Sequence, residues 1–247
     1  MPTLPAWPYP RTIAHRGAGR LAPENTLAAF RLGAAHGYRA FEFDVKLSRD
    51  GHSFLLHDDT LERTSNGHGP ADALTLAELQ RLDAGAWHSP AYAGETMPAL
   101  ATIAAYTRAN DFCVNVEIKP MPGREAETGH AVARDVRRLW QGTRIPPLLS
   151  SFSEEALATA AQTAPALPRA LLLDHLPEDW PARLRRLGCI ALDANHDCLD
   201  ADIIACAHAN SFRVLCYTPN DPVRVKTLFS WGIDSVITDE VGLISPV

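Results

Sequence analysis

The chain has 247 residues, of which 46% are hydrophobic and 21% are charged, a composition typical of a folded globular protein with a sizeable core. Its formal net charge of −6 argues against a general nucleic-acid surface, because binding to phosphate backbones depends on clustered Lys and Arg. The Pro-rich start "MPTLPAWPYPR" has no apolar run typical of a secretory signal, and no segment approaches the length of a membrane span. We therefore expect no nucleic-acid partner and no membrane insertion.

The cysteine content indicates a reducing compartment. Five cysteines, an odd number without a C-x-x-C pair, fit free thiols better than a disulfide framework. We interpret Cys113, Cys189 and Cys216 as buried thiols and leave Cys198 and Cys206 unassigned. The expected location is the cytoplasm.

Short apolar runs alternate with segments of helical spacing along the chain. Eight runs are typical of strands: "TIAHR", "AFEFDVKL", "FCVNVEIK", "PLLSSF", "RALLLD", "IALDANH", "RVLCYT" and "SVITD". The helical segments cover residues 24–36, 125–140, 154–164, 180–187, 200–210 and 221–231. This α/β pattern predicts a TIM (β/α)8 barrel with its site at the carboxyl ends of the strands. A doubly wound open sheet is the alternative, although "HRGAGRLAPEN" lacks the dinucleotide-binding glycine pattern.

One interval breaks the alternation, from about residue 58 to residue 98. It is rich in Gly, Pro, Ser and Asn, and only "TLAELQRL" within it has helical spacing. Because it is too long for a simple barrel loop, we predict a small inserted subdomain after the second strand, over the mouth of the barrel. The whole chain, residues 1–247, is then one barrel domain.

Carboxylates gather on two of the predicted strands. In "FEFDVKL", Glu42 and Asp44 are two residues apart and share one face of the strand. "VNVEIKP" places Glu117 and Lys119 in the same relation on the next predicted strand. Three carboxylates without Cys ligands or paired His ligands predict a site for Mg²⁺ or Ca²⁺. The alternatives are an exposed edge strand for the first pair and a simple Glu117–Lys119 ion pair for the second.

Two histidines lie where a predicted strand passes into a loop. A metal site flanked by His15 and His57 suits hydrolysis of a phosphate ester, in which one imidazole deprotonates the attacking oxygen and the other protonates the departing alkoxide. Arg16 and Lys119 supply positive charge for an anionic phosphate. His196, at the end of the sixth run, has two open interpretations: together with Asn195 it faces the substrate, or it shapes a turn.

The motifs together resemble those of the glycerophosphodiester phosphodiesterases. "HRG" with "PENT", "EFD", "LLHDDTLERTSNG", "VNVEIKP", "LLSSF" and "WGIDSVITD" occur in the family's order, and the similarity runs from about Pro8 to the end of the chain. "WPYPRTIAHRG", "LERTSNG" and "PPLLSSF" are also similar to the bacterial cytosolic enzyme associated with glycerol-3-phosphate uptake.

The resemblance implies a TIM barrel with a small subdomain inserted after the second strand. The implied reaction is cleavage of a small glycerophosphodiester, such as glycerophosphocholine or glycerophosphoethanolamine, to sn-glycerol 3-phosphate and an alcohol, with one divalent cation as cofactor. Seven residues match functional positions of the family: the metal ligands Glu42, Asp44 and Glu117, the acid/base pair His15 and His57, and the phosphate-contacting residues Arg16 and Lys119.

The turn after the first strand has an expected structure of its own. Gly17 and Gly19 allow the backbone to turn tightly beside the ligand. Pro23 and Glu24 suit the N-terminal turn of the first helix, and Asn25 is expected to brace the site.

The sequence departs from the family pattern at two positions, and two alternative functions are weighed against it. Tyr217 stands where many members of the family have Trp, and Pro219 where a small apolar residue is usual, which predicts a mouth of different shape. A phospholipase D-like activity on lysophospholipids or sphingomyelin would need an apolar approach surface, which the polar insertion hardly offers. A non-catalytic barrel that binds phosphodiesters is disfavoured by the presence of both His15 and His57.

Overall fold

The computed structural model describes residues 4–247 and contains a closed barrel of eight parallel strands that alternate with helices. A ninth strand, β3, lies outside the barrel. The strands are β1 (Thr12–Ala14), β2 (Ala40–Leu47), β3 (Ser53–Leu55), β4 (Cys113–Ile118), β5 (Leu148–Ser151), β6 (Arg169–Leu173), β7 (Ala191–Asn195), β8 (Arg213–Tyr217) and β9 (Ser235–Thr238). The barrel closes because β1 pairs with both β2 and β9. The predicted TIM barrel is confirmed.

Five of the helices match the sequence pattern closely. The helices are α1 (Leu27–Ala35), α2 (Leu76–Leu79), α3 (Leu100–Ala109), α4 (Glu125–Leu139), α5 (Glu154–Thr163), α6 (Trp180–Leu187), α7 (Ala201–Ala209) and α8 (Pro222–Ser230). From α4 onward, each begins and ends within one residue of its predicted bounds. The helix α3 was not among the predicted helices. No helix within residues 4–247 has the length and apolar character needed to cross a bilayer.

Side chains of β2 point alternately into the barrel and outward to the helices, so its carboxylates and its apolar side chains lie on opposite faces. Phe41, Phe43 and Val45 pack outward into the layer between strands and helices, where they join the largest apolar cluster. Glu42 and Asp44 therefore point into the barrel, as strand periodicity requires. In the parallel pairing of β2 with β4, Asp44 is the register partner of Glu117. The backbone register alone therefore places carboxylates of two strands side by side.

The strand β3 marks the start of the inserted subdomain. It runs antiparallel to the end of β2, with Val45 paired to Leu55 and Leu47 paired to Ser53. The helix α2 follows within "TLAELQRL" and is a single capped turn. The subdomain has a small apolar core of its own, which comprises Phe54, Leu56, Leu61, Ala71, Leu79, Ala84 and Met97. The inserted subdomain after the second barrel strand is therefore present, as predicted.

The first helix begins later than the sequence predicts. We expected it from residue 24, but α1 begins at Leu27, with Thr26 as its N-cap and the Thr26 hydroxyl accepting from the Ala29 N–H at 3.3 Å. Asn25 has φ +60°, a left-handed conformation that interrupts a helix. The expectation for Pro23 and Glu24 was wrong because these residues form a turn that carries side chains toward the barrel mouth.

The amino end of the barrel is closed from below. Tyr9 is buried, and its hydroxyl donates to the Pro146 carbonyl at 3.0 Å. The Trp7 indole N–H donates to the Ser235 hydroxyl at 3.0 Å. Above them lies an apolar layer of Ile13, Ala40, Cys113, Leu148, Ala170, Ala191, Leu215 and Ile237. The only broad opening of the barrel among the described residues is therefore at the carboxyl ends of the strands.

The cysteines lie largely where the sequence placed them. Cys113, Cys189 and Cys216 are buried, Cys198 is half-buried and Cys206 is exposed. All five are free thiols.

The close packing of α4 against α5 gives a prediction about Gly129. A Cβ at this position would lie 2.3 Å from the Ala156 carbonyl oxygen, so the helices would have to separate. Helix propensity alone favours Gly129→Ala by about 1 kcal/mol, whereas the clash should destabilise by about 1–3 kcal/mol. We expect urea unfolding to show a net loss of stability. The exposed Ala126→Gly on the same helix isolates the propensity effect; a Gly129→Ala protein more stable than wild type would contradict the packing argument.

Candidate active site

Three buried carboxylates meet at the mouth of the barrel. Glu42 and Asp44 of β2 and Glu117 of β4 are 3%, 0% and 8% exposed, and one oxygen of each lies within 4.8 Å of the others. The Glu42 Oε1 atom has no hydrogen-bond partner among the described residues. Because buried charge needs compensation, an unpartnered carboxylate oxygen facing two further carboxylates is suited to a cation. The all-oxygen donor set fits a hard divalent ion.

The carboxylates perturb one another strongly. Burial, together with Asp44 and Glu117, raises the pKa of Glu42 well above its usual range. Burial and Asp44 raise the pKa of Glu117 to about 7. Although burial opposes it, the charges of Arg16 and Lys119 hold the pKa of Asp44 far below its usual range. Asp44 therefore favours its charged form, whereas burial and the neighbouring negative charge favour protonation of Glu42 and Glu117 unless a cation compensates them.

Arg16 and Lys119 lie against the same carboxylates. The Arg16 Nε atom is 3.2 Å from an Asp44 oxygen, and its Nη1 donates to Glu24 at 2.8 Å. The Lys119 Nζ atom lies 3.0 Å from Glu117 and 3.5 Å from Asp44. The Glu117–Lys119 ion pair weighed above therefore exists, but as part of this cluster. Despite burial, Asp44 raises the pKa of both cations, so each carries its charge at neutral pH.

Each of the two histidines is held by a carboxylate. The His15 Nδ1 atom lies 2.6 Å from an Asp239 oxygen, and the His57 Nδ1 atom lies 2.6 Å from an Asp58 oxygen. A carboxylate that accepts from the Nδ1–H fixes the ring and leaves Nε2 free to exchange protons. The His15 Nε2 atom is 3.7 Å from Glu42, so it faces the carboxylate cluster. Burial lowers the pKa of His57 and favours its neutral form.

The sequence did not identify the two orienting carboxylates. Asp239 follows β9 and is 224 residues from His15, and it is held in turn by the Asn220 amide at 2.9 Å. Its one signal is its position at the end of the strand run "SVITD", where barrel active-site residues lie. Asp58 had a nearer signal, because it directly follows His57 in the chain.

Arg63 of the inserted subdomain links the two halves of the site. Its Nε and Nη2 atoms donate to both oxygens of Asp58, at 2.6 and 2.9 Å. Its Nη1 and Nη2 atoms donate to both oxygens of Glu24, at 2.8 and 2.9 Å. Asp58 orients His57, and Glu24 bonds Arg16. One guanidinium therefore fixes the supports of a histidine and of a phosphate-binding candidate, a geometry that bidentate Arg pairs make specific.

The turn after β1 depends on close backbone approach. The side chain of Asn25 is buried and donates to Asp44 at 2.8 Å, while its Oδ1 accepts from the Asp44 N–H at 3.2 Å. Gly17 and Gly19 have φ +100° and +53°. A Cβ on Gly19 would lie 2.0 Å from the Asp239 carbonyl oxygen, so only glycine lets this turn approach the β9 loop.

His196 shapes a turn and does not face the cavity at the mouth. It lies in a short turn after β7, where the Asn195 side chain accepts from the Asp197 N–H at 3.0 Å and the Arg224 guanidinium donates to the His196 carbonyl. Neither Asn195 nor His196 lines the cavity at the mouth. The structure therefore assigns His196 to the turn.

The site opens onto a cavity of about 180 Å³. Its lining includes six of the seven predicted functional residues: His15, Arg16, Glu42, His57, Glu117 and Lys119. The seventh, Asp44, is fully buried behind them and contacts Arg16.

Comparison with known proteins places the chain among phosphodiesterases. Residues 15–243 match the model of the glycerophosphoryl diester phosphodiesterase family. The chain belongs to this family. It is 31% identical over 233 residues to a glycerophosphodiester phosphodiesterase of Caldanaerobacter subterraneus. The aligned residues cover 92% of this chain and 93% of the relative. The resemblance seen in the motifs and the expected enzyme class are thereby confirmed.

Two solved structures share the fold. An Oleispira antarctica phosphodiesterase, in complex with the product sn-glycerol-3-phosphate, has a TM-score of 0.88 and 35% identity and covers 94% of this chain and 93% of its own. A glycerophosphodiester phosphodiesterase from Agrobacterium tumefaciens has a TM-score of 0.81 and 28% identity and covers 96% and 99%. The roles of the individual site residues in this glycerophosphoryl diester phosphodiesterase stay predictions.

The paired hydrogen bonds from Arg63 to Asp58 and Glu24 predict that Arg63 positions the active site. Arg63→Gln should lower kcat/KM for phosphodiesters about 10²-fold, because His57 and Arg16 both lose a fixed support. Without Arg63, the uncompensated negative charge of Asp58 should raise the pKa of His57, so the pH profile of kcat/KM should also shift to higher pH. Arg63→Lys should recover only part of the rate. The matched control is Arg49→Gln, which removes an exposed Arg from the base of the same subdomain. An unshifted profile with full activity would contradict the positioning role.

Proposed function

We propose that this chain hydrolyses small glycerophosphodiesters, such as glycerophosphocholine or glycerophosphoethanolamine, to sn-glycerol 3-phosphate and an alcohol. The observation that carries the proposal is the meeting of three carboxylates, two anchored imidazoles and two cations at one cavity. Phosphodiester hydrolysis needs charge stabilisation and two proton transfers, and these groups supply both. The product bound by the Oleispira antarctica phosphodiesterase supports the same choice of substrate.

Glu42, Asp44 and Glu117 are the proposed ligands of one divalent cation, Mg²⁺ or Ca²⁺. When bound, such an ion neutralises charge that develops on the phosphoryl oxygens. The support for this assignment is the close approach of three carboxylate oxygens and the unpartnered Glu42 Oε1 atom. Arg16 and Lys119 bind the remaining phosphoryl oxygens, Arg16 through two N–H groups and Lys119 as a point charge.

His15 and His57 are the proposed acid/base pair. Both have Nδ1 engaged by a carboxylate, which leaves Nε2 as the atom that exchanges a proton. One imidazole accepts the proton of the attacking oxygen, and the other, protonated, donates to the oxygen of the departing alcohol. The attacking oxygen belongs either to water or to the neighbouring glycerol hydroxyl; in the second case a cyclic phosphate forms and water then opens it to sn-glycerol 3-phosphate. Asp239 and Asp58 keep the rings oriented and stabilise the imidazolium form.

The proposed substrates are small polar molecules. Beside the mouth, Arg63 and Asp58 of the inserted subdomain meet Glu24 of the turn after β1 in a charged cluster rather than in an apolar face for a lipid bilayer. The cytoplasmic location and the absence of nucleic-acid partners stay predictions from cysteine content and charge, as does the assignment of residues 1–247 to one domain.

Metal addition should stabilise the chelator-treated protein. An ion that binds only the folded state at about 100 times its Kd adds about 2.7 kcal/mol to the free energy of unfolding, which differential scanning fluorimetry detects as a higher Tm. We expect this rise with Mg²⁺ or Ca²⁺ and expect Glu42→Gln to require a higher ion concentration for the same rise. Exposed Glu127→Gln is the matched control. Identical metal titrations of wild type and Glu42→Gln would remove Glu42 from the ligand set.

His57→Ala should abolish most turnover while leaving the metal-dependent rise in Tm intact. Loss of general acid/base catalysis costs about 10²–10⁴ in rate. The assay is release of sn-glycerol 3-phosphate from glycerophosphocholine with either ion, and the exposed His52→Ala is the control. Wild-type activity in His57→Ala would end its assigned role. If folded wild-type protein releases no product with either ion, lysophospholipid substrates are tested next, and a binding-only barrel follows if these also fail.

A further inference from the structure

A second cavity opens beside the candidate active site, at the ends of β4 and β5. We call it the outer pocket; it has a volume of about 350 Å³ and is lined by Asp59, Glu117, Lys119, Glu125 and Phe152, among others. Glu117, Lys119 and Phe152 also line the cavity at the mouth, so the two cavities are continuous. A phosphoryl group bound at Lys119 therefore has one substituent beside the outer pocket. The proposed mechanism assigns no role to Asp59, Glu125 or Phe152.

Phe152 gives the outer pocket an aromatic wall. Its side chain follows β5 and is 46% exposed. The ring packs edge-on against Tyr217, with centroids 5.7 Å apart and an interplanar angle of 79°, and this contact fixes its orientation. The Lys119 Nζ atom lies 5.9 Å from the ring centroid. Because aromatic faces attract cations at such distances, the exposed ring suits a positively charged group joined to a phosphate at Lys119 by a short carbon arm.

Two carboxylates line the outer pocket and are held from the protein side. Asp59 lies two residues after His57, and its Oδ1 atom accepts from the Lys46 Nζ atom at 2.6 Å. The Lys46 side chain is fully buried, whereas that of Asp59 is 53% exposed. Glu125 begins α4, and its Oε1 atom accepts from the Gly123 N–H at 3.1 Å. Both carboxylates are therefore oriented before a ligand arrives, which lowers the entropy cost of binding a cation.

The charges that line the outer pocket do not cancel. The Lys119 ammonium group is already engaged by Glu117 at 3.0 Å and by Asp44 at 3.5 Å. Lys46 offsets Asp59. Glu125 accepts a backbone N–H and forms no salt bridge within residues 4–247. The outer pocket therefore has surplus negative charge beside an aromatic ring, a combination that recognises organic cations.

The cavity on the β1 side of the mouth has a different character. It has a volume of about 470 Å³, and its lining includes Arg16, Arg20 and Arg63. Its two carboxylates are already engaged, since Glu24 is bonded by two of these arginines and Asp239 by a histidine and an amide. A positively charged substituent is therefore favoured in the outer pocket over the β1 side.

We propose that the outer pocket binds the alcohol unit of the substrate and selects alcohols that carry a positive charge, with Asp59, Glu125 and Phe152 as specificity-determining residues. This inference rests on the proposed phosphodiesterase function and deepens it. Choline and ethanolamine have a cationic nitrogen two carbons from the ester oxygen, whereas glycerol and inositol units are neutral. The enzyme then discriminates among glycerophosphodiesters by the charge of the departing alcohol.

A neutral isostere of choline gives the sharpest test. Glycerophosphocholine is compared with the glycerophosphodiester of 3,3-dimethylbutanol, in which carbon replaces nitrogen and the shape is kept. Both release sn-glycerol 3-phosphate, so one assay measures both. We expect wild type to have kcat/KM at least about 10-fold higher for the choline diester. Asp59→Asn, Glu125→Gln and Phe152→Leu should each lower this ratio about threefold, because each removes one attraction for the cation.

The variants are chosen so that folding does not obscure the result. Glu125→Gln keeps an acceptor for the Gly123 N–H, and it keeps the test valid if Asp59→Asn, beside the buried Lys46, fails to fold. Exposed Glu155→Gln on α5 removes the same charge outside the outer pocket and should leave the ratio unchanged. Equal kcat/KM of wild type for the two diesters, or a full preference retained in Glu125→Gln and Phe152→Leu, would overturn the inference.

Binding measured without turnover separates the two proposals. Isothermal titration calorimetry, with Mg²⁺ present and again after chelation, compares phosphocholine with 3,3-dimethylbutyl phosphate. If wild type hydrolyses both diesters equally well, the inference about the outer pocket fails and the proposed function stands. If neither diester is hydrolysed but phosphocholine binds about 10-fold more tightly than its neutral isostere, the inference stands and the proposed function fails. The absence of both hydrolysis and preference contradicts both.

Discussion

Mutual repulsion among Glu42, Asp44 and Glu117 is the constraint on which the rest of the site depends. Parallel register between β2 and β4 forces these carboxylates into one buried space. Arg16 and Lys119 compensate only part of this charge, and Arg16 is shared with Glu24. The surplus negative charge raises the pKa of two carboxyl groups and makes a divalent cation the natural complement. The barrel tolerates the cluster because hydrogen-bonded β-strands, rather than the cluster itself, hold the three residues in place.

The residues around the cluster show why a subdomain is inserted at this point. His57 lies where the chain passes from the barrel into the subdomain. Arg63, within the subdomain, donates hydrogen bonds to both Asp58 and Glu24. On the opposite side, Asp239 after β9 orients His15. Each proposed proton-transfer group is thus supported by a loop that follows a different strand. Preorganisation of this kind fixes donors and acceptors before substrate arrives, which is the main source of electrostatic catalysis.

Local periodicity was sufficient for the eight barrel strands and for the direction in which Glu42, Asp44 and Glu117 face, since both follow from the two-residue repeat of a strand. The pairing of His15 with Asp239 was beyond reach because no local rule joins residues 224 positions apart. The start of α1 was misplaced because tertiary contacts overrode a good helix-start pattern: Glu24 bonds Arg63 and Asn25 bonds Asp44. The strand β3 was missed because its three residues read as the end of an apolar run.

A polar layer in the barrel interior has a stability cost. It consists of Asn115, Ser150, Asp193 and Tyr217, and each of these leaves one polar atom without a hydrogen-bond partner among the described residues. Each buried polar atom without a partner costs about 1–3 kcal/mol, and burial raises the pKa of the Asp193 carboxyl group well above its usual range. A barrel selected for stability alone would continue the apolar floor of Leu148 and Ala191 upward by one layer. The apolar layer at the closed amino end, with Tyr9 packed into it, buries apolar surface that offsets part of this cost. Because these four residues also line the cavity at the mouth, their polarity is better explained by contact with the contents of the cavity than by the stability of the free barrel.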